Sequence, residues 1–146
     1  MSTTHDSMQH PPTVIDRMLQ LWNGEELDPG TIYAPRCLEN GSATFEPYDV
    51  VPQIEGLRSA MPDLTFVIDD WFSCDDRYVL RMHTDGTLQG PLQTRLGTAP
   101  PTRRTISMTG IEVFRVAEDR IIEVWVGWNF GELYESLGAT LGTATP

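Results

Sequence analysis

The chain has 146 residues, and ten basic side chains face twenty-one acidic ones, which gives a formal charge of −11 at pH 7. This length predicts one domain with a single core, and so acidic a surface repels the phosphates of nucleic acid. No apolar run reaches the roughly 20 residues that span a bilayer, and the polar start lacks the pattern of a signal peptide. We therefore expect a cytoplasmic protein with neither a nucleic-acid nor a membrane partner.

The domain boundaries follow from composition. Residues 1–12 are polar and end in two prolines, which is typical of a flexible tail. Residues 13–138 carry the periodic apolar patterns of one folded domain, and residues 139–146 are small and polar. The two cysteines form no CxxC pair, so the sequence predicts neither a zinc site nor a disulfide.

Helical periodicity dominates the first part of the chain. Thr13 is expected to cap a helix whose apolar side chains recur every three or four residues as far as Trp22. A second, short helix is expected after Asp28. A third should begin at Asp49, bury one apolar stripe and end before Pro62.

From Leu64 onward the apolar period changes to two, which indicates strands. We expect a bulge at Asp85–Gly86 in the long strand and a structureless loop or lid over residues 90–104. Asn129 should then cap a last helix. The predicted strands are 64–69, 78–89, 105–116 and 121–128.

The order of these elements, helices first and strands afterwards, predicts the fold class. Connections this short favour antiparallel neighbours. We therefore expect an α+β fold in which a curved antiparallel sheet wraps around three to four helices and can leave a blind cavity.

Four stretches carry a resemblance to a known family: GTLQG in the long strand, PPTRR, GIEVFRVAEDRIIEVW and ESLG. Over residues 15–138 the chain resembles the SnoaL-like polyketide cyclases of the NTF2-like superfamily. The resemblance implies a cone-shaped α+β barrel, a homodimer formed through the outer face of the sheet, and a deep pocket that takes a small-molecule polyketide without a cofactor or metal. In overall likeness it extends to indane-forming cyclases of the indanomycin type.

The chain departs from the family pattern at the residues that transfer protons. Aldol cyclases of the family carry an Asp four residues after the Trp that matches Trp125, whereas this chain has Asn129, and an amide cannot accept a proton near neutral pH. Leu88 occupies a position that is His in many relatives, and Asn40 matches another common His. A pocket without these groups favours a ring closure that needs no strong base, such as a [4+2] cycloaddition.

Three residues are predicted to be catalytic. Asn129 could hydrogen-bond a substrate carbonyl or simply cap its helix. Tyr33 could donate its phenol proton to a substrate oxygen or could only pack in the core. Glu123, a carboxylate in an apolar strand, could act as an acid or base if burial raises its pKa, or could form a structural hydrogen bond or salt bridge. On the last strand, the mixed face that holds Glu123 and Trp125 is interpreted as the pocket wall, and the apolar face as the outer surface.

Nine residues are predicted to bind substrate, although packing in the core is the alternative for most of them. They are Trp22, Asn40, Phe45, Met61, Trp71, His83, Leu88, Gln89 and Trp125. Arg95, Arg103 and Arg104 flank the proline-rich loop and could hold an acidic head group, or could only keep the loop soluble.

Three functions remain open at this point. The first is a pericyclic polyketide cyclase. The second is an acid–base enzyme, namely an aldol cyclase, hydratase or epoxide-opening enzyme, that uses Glu123, Asp85 or His83. The third is a non-catalytic protein that binds an apolar metabolite.

Overall fold

The computed structural model describes residues 11–138. The predicted tails, 1–12 and 139–146, lie outside these residues apart from Pro11 and Pro12. The helices are α1 (Thr13–Trp22), α2 (Val50–Ala60) and α3 (Phe130–Ser136). The strands are β1 (Tyr33–Glu39), β2 (Ala43–Phe45), β3 (Thr65–Cys74), β4 (Arg77–Thr87), β5 (Leu92–Thr94), β6 (Gly97–Ala99), β7 (Thr105–Ala117) and β8 (Arg120–Trp128).

The α+β class and the curved sheet around the helices are confirmed, but the sheet is mixed. Its order is β2-β1-β8-β7-β4-β3, and every neighbouring pair is antiparallel except β1 and β8. β1 and β2 were not predicted from the sequence. β1 and β8 are far apart in the sequence, with most of the domain between them. A parallel pair of this kind needs no direct crossover connection, so the short connections seen in the sequence could not exclude it.

The predicted bulge at Asp85–Gly86 is wrong, because β4 pairs with β7 in one continuous register along its length. Gly86 instead allows α2 to come close to the sheet: a Cβ atom there would lie 3.0 Å from the Cβ of Met61. The register of β3 shifts between Ile68 and Asp70.

Three further local expectations need correction. Residues 90–104 are not structureless, because β5 and β6 pair as a small hairpin that buries Leu92 in the core. Thr13 is the first residue of α1, and the N-cap is Pro12. The predicted short helix after Asp28 is a 3-10 turn, Pro29–Thr31, in which the Asp28 side chain accepts from the backbone N–H of Gly30.

The core has two clusters. The larger one packs α1 and α2 on the concave face of the sheet and includes Ile15, Met18, Leu80 and Phe114. The smaller one joins the end of α2 to the β5–β6 hairpin and α3. The concave face that both clusters border is therefore enclosed by helices and by the hairpin.

Candidate active site

A cavity of about 600 Å³ lies between the concave face of the sheet and the helices. This volume is typical of sites that bind small molecules. Its wall is largely apolar, and it includes Met18, Trp22, Phe45, Met61, Phe66, Met82, Phe114, Val124 and Trp128.

Aromatic rings in this wall pack edge to face. Phe66 lies between Trp22 and Trp128, with ring centroids 6.0 and 5.8 Å away, and Tyr33 meets Phe45 at 5.4 Å. Edge-to-face packing holds each ring in one orientation. The cavity therefore has a defined shape before a ligand binds.

A carboxyl group points into this apolar cavity. Glu112 on β7 lines it, and the indole Nε1 of Trp128 donates to Glu112 Oε1 at 2.8 Å. Burial raises the pKa of Glu112 to about 7, and the Trp128 hydrogen bond partly opposes the rise. The second carboxyl oxygen has no partner among residues 11–138 and is not enclosed, so it is open to a ligand in the cavity.

A phenol lies in the same cavity. Tyr33 is 3% exposed, and its Oη accepts the indole N–H of Trp22 at 2.9 Å. Burial and the charge of Glu112 both raise the pKa of Tyr33, so it stays protonated. Its own hydroxyl hydrogen has no acceptor among the described residues, which leaves it available to a ligand oxygen.

The rim of the cavity consists of lining residues that are exposed to solvent. These are Gln53, Gln93, Arg95, Val126 and Phe130. The guanidinium of Arg95, at the tip of the β5–β6 hairpin, lies 5.8 Å from the centre of the Phe130 ring. This contact joins the hairpin to the start of α3.

The structure brings four of the predicted site residues together. Trp22, Tyr33, Phe45 and Met61 all line the cavity. Tyr33 has the free donor expected of it, and the other three belong to the apolar wall.

The prediction for β8 had the two faces reversed. Val124, Val126 and Trp128 face the cavity, whereas Trp125 is 46% exposed on the other side. There, Trp125 Nε1 donates to Glu123 Oε1 at 2.7 Å. Because the cavity itself is apolar, the apolar face of the strand is its wall and the mixed face meets solvent.

The two predicted asparagines lie outside the cavity. Asn129 Oδ1 accepts from the backbone N–H of Glu132, so the side chain caps α3. Asn40 is in the β1–β2 turn, and its Oδ1 accepts from the N–H of Val126 at 2.9 Å. In both asparagines the side-chain oxygen therefore accepts a hydrogen bond from a backbone N–H.

The remaining predicted binders are also elsewhere. His83 is on the outer face of β4, where its Nδ1 lies 2.8 Å from Asp69 and its Nε2 lies 3.5 Å from Asp85. Trp71 packs beside Tyr78, Leu88 is fully buried in the smaller core cluster, and Gln89 is exposed. In β4 the even-numbered residues Met82 and Thr84 line the cavity, so His83 points outward.

Sequence reasoning missed Glu112. The signal that drew attention to Glu123, a carboxylate in an apolar strand, is equally present in the segment IEVF that contains Glu112. The expectation of a cavity without proton carriers is therefore wrong.

No helix among residues 11–138 is long and apolar enough to cross a membrane. These residues also contain no group of three or more His, Cys, Asp or Glu side chains arranged to hold a metal ion.

Comparison with known proteins adds an independent finding. The model of the SnoaL-like polyketide cyclase family matches residues 13–137. Comparison with curated protein sequences gives no significant match.

Solved structures share the fold at low identity. A SnoaL-like polyketide cyclase from Agrobacterium tumefaciens is 20% identical over 90% of this chain and all of that chain, with a TM-score of 0.72. IdmH from Streptomyces antibioticus is 22% identical over 89% of this chain and all of that chain, with a TM-score of 0.71. AclR from Streptomyces galilaeus is 24% identical over 90% of this chain and 82% of that chain, with a TM-score of 0.70. With the family match over nearly the whole described domain, we conclude that the chain belongs to the SnoaL-like polyketide cyclase family.

Proposed function

We propose that this protein closes a carbocycle in an apolar polyketide chain, with Glu112 as the group that moves the proton. The observation that carries the proposal is the Glu112 carboxyl in an apolar cavity, with one oxygen bound by Trp128 and the other without a partner among the described residues. A pKa near 7 makes Glu112 a base when ionised and an acid when protonated, both at neutral pH.

The proposed reaction is an intramolecular aldol-type closure. Ionised Glu112 removes a proton from a carbon next to a carbonyl, while the Tyr33 O–H donates to that carbonyl oxygen and stabilises the enolate. The enolate carbon then attacks a second carbonyl carbon of the same chain, and the C–C bond forms as the C=O π bond opens. Protonated Glu112 returns its proton to the new alkoxide, so the product is an isomer of the substrate. No cofactor enters this reaction.

The surroundings of Glu112 support this role. Apolar walls exclude water from the enolate and strengthen the hydrogen bond from Tyr33. The fixed aromatic rings can fold a flexible chain so that its reacting carbons meet, which supplies part of the barrier lowering through proximity.

A [4+2] closure, giving an indane for example, is the second candidate, and the shaped aromatic wall favours it. Such a reaction needs a folded diene and a donor to an activating carbonyl, and no group has to take up a proton. Tyr33 and protonated Glu112 would then be donors only.

The experiment compares Glu112→Gln with a matched control, Glu123→Gln. Both glutamates accept an indole N–H, but Glu123 does so outside the cavity. Two probes are used: a linear polyketone for the aldol route and a linear triene–enone for the cycloaddition. For the aldol route we expect Glu112→Gln to lower kcat by about 10²- to 10⁴-fold, and Glu123→Gln to change it little.

The pH profile separates the two candidates further. With Glu112 as the base, kcat/KM on the polyketone rises with pH around 7. If instead the triene–enone is closed and Glu112→Gln keeps its rate, because an amide still donates, the cycloaddition is the function and the aldol proposal is wrong. Tight binding of both probes without acceleration of either would mean that the protein is a binding protein.

A further inference from the structure

The cavity has a directional polarity that the proposed reaction does not use. Its interior holds Glu112 and Tyr33, whereas Arg95 stands at the rim. The ten basic residues of the chain are all arginines, and Arg95 is the one among the described residues that lines this cavity.

The guanidinium of Arg95 has no carboxylate partner in the part of the chain that the structure describes. The ion pairs among residues 11–138 involve His83 and Arg115, and no hydrogen bond of the Arg95 side chain occurs within that part of the chain. Its described contact is with the face of the Phe130 ring. A cation–π contact of this kind uses the charge of the guanidinium but none of its N–H groups as hydrogen-bond donors, so these N–H groups remain free to bind an anion.

The cavity lining favours one orientation of an anionic ligand. Glu39 and Glu112 both line the cavity, so a carboxylate placed beside them would lose its hydration without a cationic partner to compensate. Arg95 is the cation in the lining among the described residues, so an anionic end is best accommodated at the rim, and the apolar body of the ligand extends inward to the aromatic wall.

We infer that the substrate carries a free carboxylate at one end, which pairs with Arg95 at the rim while the apolar chain occupies the cavity. The inference rests on the proposed function and adds the substrate class, a long-chain carboxylic acid. A planar guanidinium fits the two oxygens of a carboxylate in a bidentate pair. This pair would fix which carbons of the chain reach Glu112.

The test measures binding, which does not require turnover. Decanoate and decan-1-ol serve as probes of equal chain length and are titrated calorimetrically at low ionic strength and about pH 6, where the fatty carboxylate is ionised. The variants are Arg95→Gln, Arg95→Lys and, as a control, Arg103→Gln, which changes an exposed arginine of the same connection that does not line the cavity.

We expect the unmodified protein to bind decanoate about three- to fivefold more tightly than the alcohol, as for a largely exposed ion pair. Arg95→Gln should abolish this preference and leave the affinity for the alcohol unchanged. Arg95→Lys should keep most of the preference, and Arg103→Gln all of it.

The outcomes that would contradict this inference differ from those that would contradict the proposed function. Equal binding of the two probes by the unmodified protein, or an undiminished preference in Arg95→Gln, would overturn this inference and leave the proposed ring closure standing. If neither probe binds, the apolar cavity does not accept a chain of this kind, and both the inference and the proposed function fail.

Discussion

Trp128 and Glu112 form a hydrogen bond of 2.8 Å on the concave side of β7 and β8. The same kind of pair, Trp125 with Glu123, forms at 2.7 Å on the opposite side of the sheet. The two pairs differ in their surroundings, since the first lines an apolar cavity, whereas on the outer face Glu123 Oε2 also lies 3.8 Å from Nη1 of Arg115. This difference gives Glu112 a shifted pKa and makes the outer pair a natural control.

Glu112→Gln should stabilise the protein at high pH. The folded-state pKa of Glu112, about 7, is above its ordinary value of 4.5. Below pH 4.5 the carboxyl is protonated in both the folded and unfolded states and does not change the free energy of unfolding. As the pH rises toward 7 only the unfolded state releases its proton, so the free energy of unfolding falls, by about 3 kcal/mol in total.

The measurement is urea denaturation of the wild type and Glu112→Gln at a series of pH values. The stability advantage of the variant should be absent near pH 4 and fully developed by about pH 8. Two curves that stay parallel over this range would show that the pKa of Glu112 is the same in the folded and unfolded states.

Trp128→Phe should raise the pKa of Glu112 further. The indole N–H stabilises the charged carboxylate, and a hydrogen bond to a charged group contributes about 1.5 kcal/mol, which corresponds to about one pH unit. The midpoint can be followed by NMR of the labelled glutamate carboxyl. Trp125→Phe removes the equivalent donor from Glu123 and should leave the Glu112 midpoint where it is; an equal shift in both variants would contradict the argument.

Gly110→Ala should disturb the cavity wall. A Cβ atom at Gly110 would lie 2.5 Å from Cδ2 of Trp128, so the indole ring must move and draw its N–H away from Glu112. We expect a loss of about 1–3 kcal/mol in the free energy of unfolding, as for overpacking elsewhere, together with lower activity.

The control for this substitution is Gly56→Ala on α2. Apart from its chain neighbours and its own helix backbone, no heavy atom of the described residues lies within 4 Å of a Cβ atom at Gly56. Alanine in a helix is favoured over glycine by about 0.5–1 kcal/mol. Thermal denaturation should therefore show a lower Tm for Gly110→Ala and a higher one for Gly56→Ala. A Gly110→Ala variant as stable as the wild type would mean that Trp128 has room to move.

The outer face of the sheet is expected to form a homodimer. Four large apolar side chains, those of Val67, Phe72, Ile111 and Trp125, are exposed there. We expect sedimentation velocity to give a dimer for the wild type and a shift toward monomer for Ile111→Asp. Leu96→Asp changes an exposed apolar residue at the hairpin tip instead and should leave the dimer intact; a wild-type monomer at all concentrations would contradict the expectation.

Local sequence patterns predicted the long elements because those patterns match the period of each element. The spacing from Val14 to Leu21 places four buried residues on one face of α1. β7 and β8 and their connection were also predicted within two residues, and in that turn Glu118 and Asp119 both have positive φ. Short strands such as β2, β5 and β6, of three residues each, are too short to show a period.

The candidate site could be predicted only in part. Trp22, Tyr33, Phe45 and Met61 were singled out as bulky or donor side chains near an expected cavity, and all four line it. His83 and Asn40 share the polarity of site residues, but the first pairs with carboxylates on the outer face and the second bonds the backbone of β8. Polarity alone does not tell which side of a sheet a residue is on.

The sequence by itself determined the α+β class with a curved sheet over helices, because apolar periodicity and short connections restrict the folds that can bury that surface. Only the tertiary structure decided which glutamate faces the cavity, the one in the segment IEVF or the one in the similar segment IEVW. Successive side chains of a strand point to opposite faces, so a shift of one residue reverses every assignment. The registers of β7 and β8 and the apolar character of the cavity turn Glu112 inward and Glu123 outward.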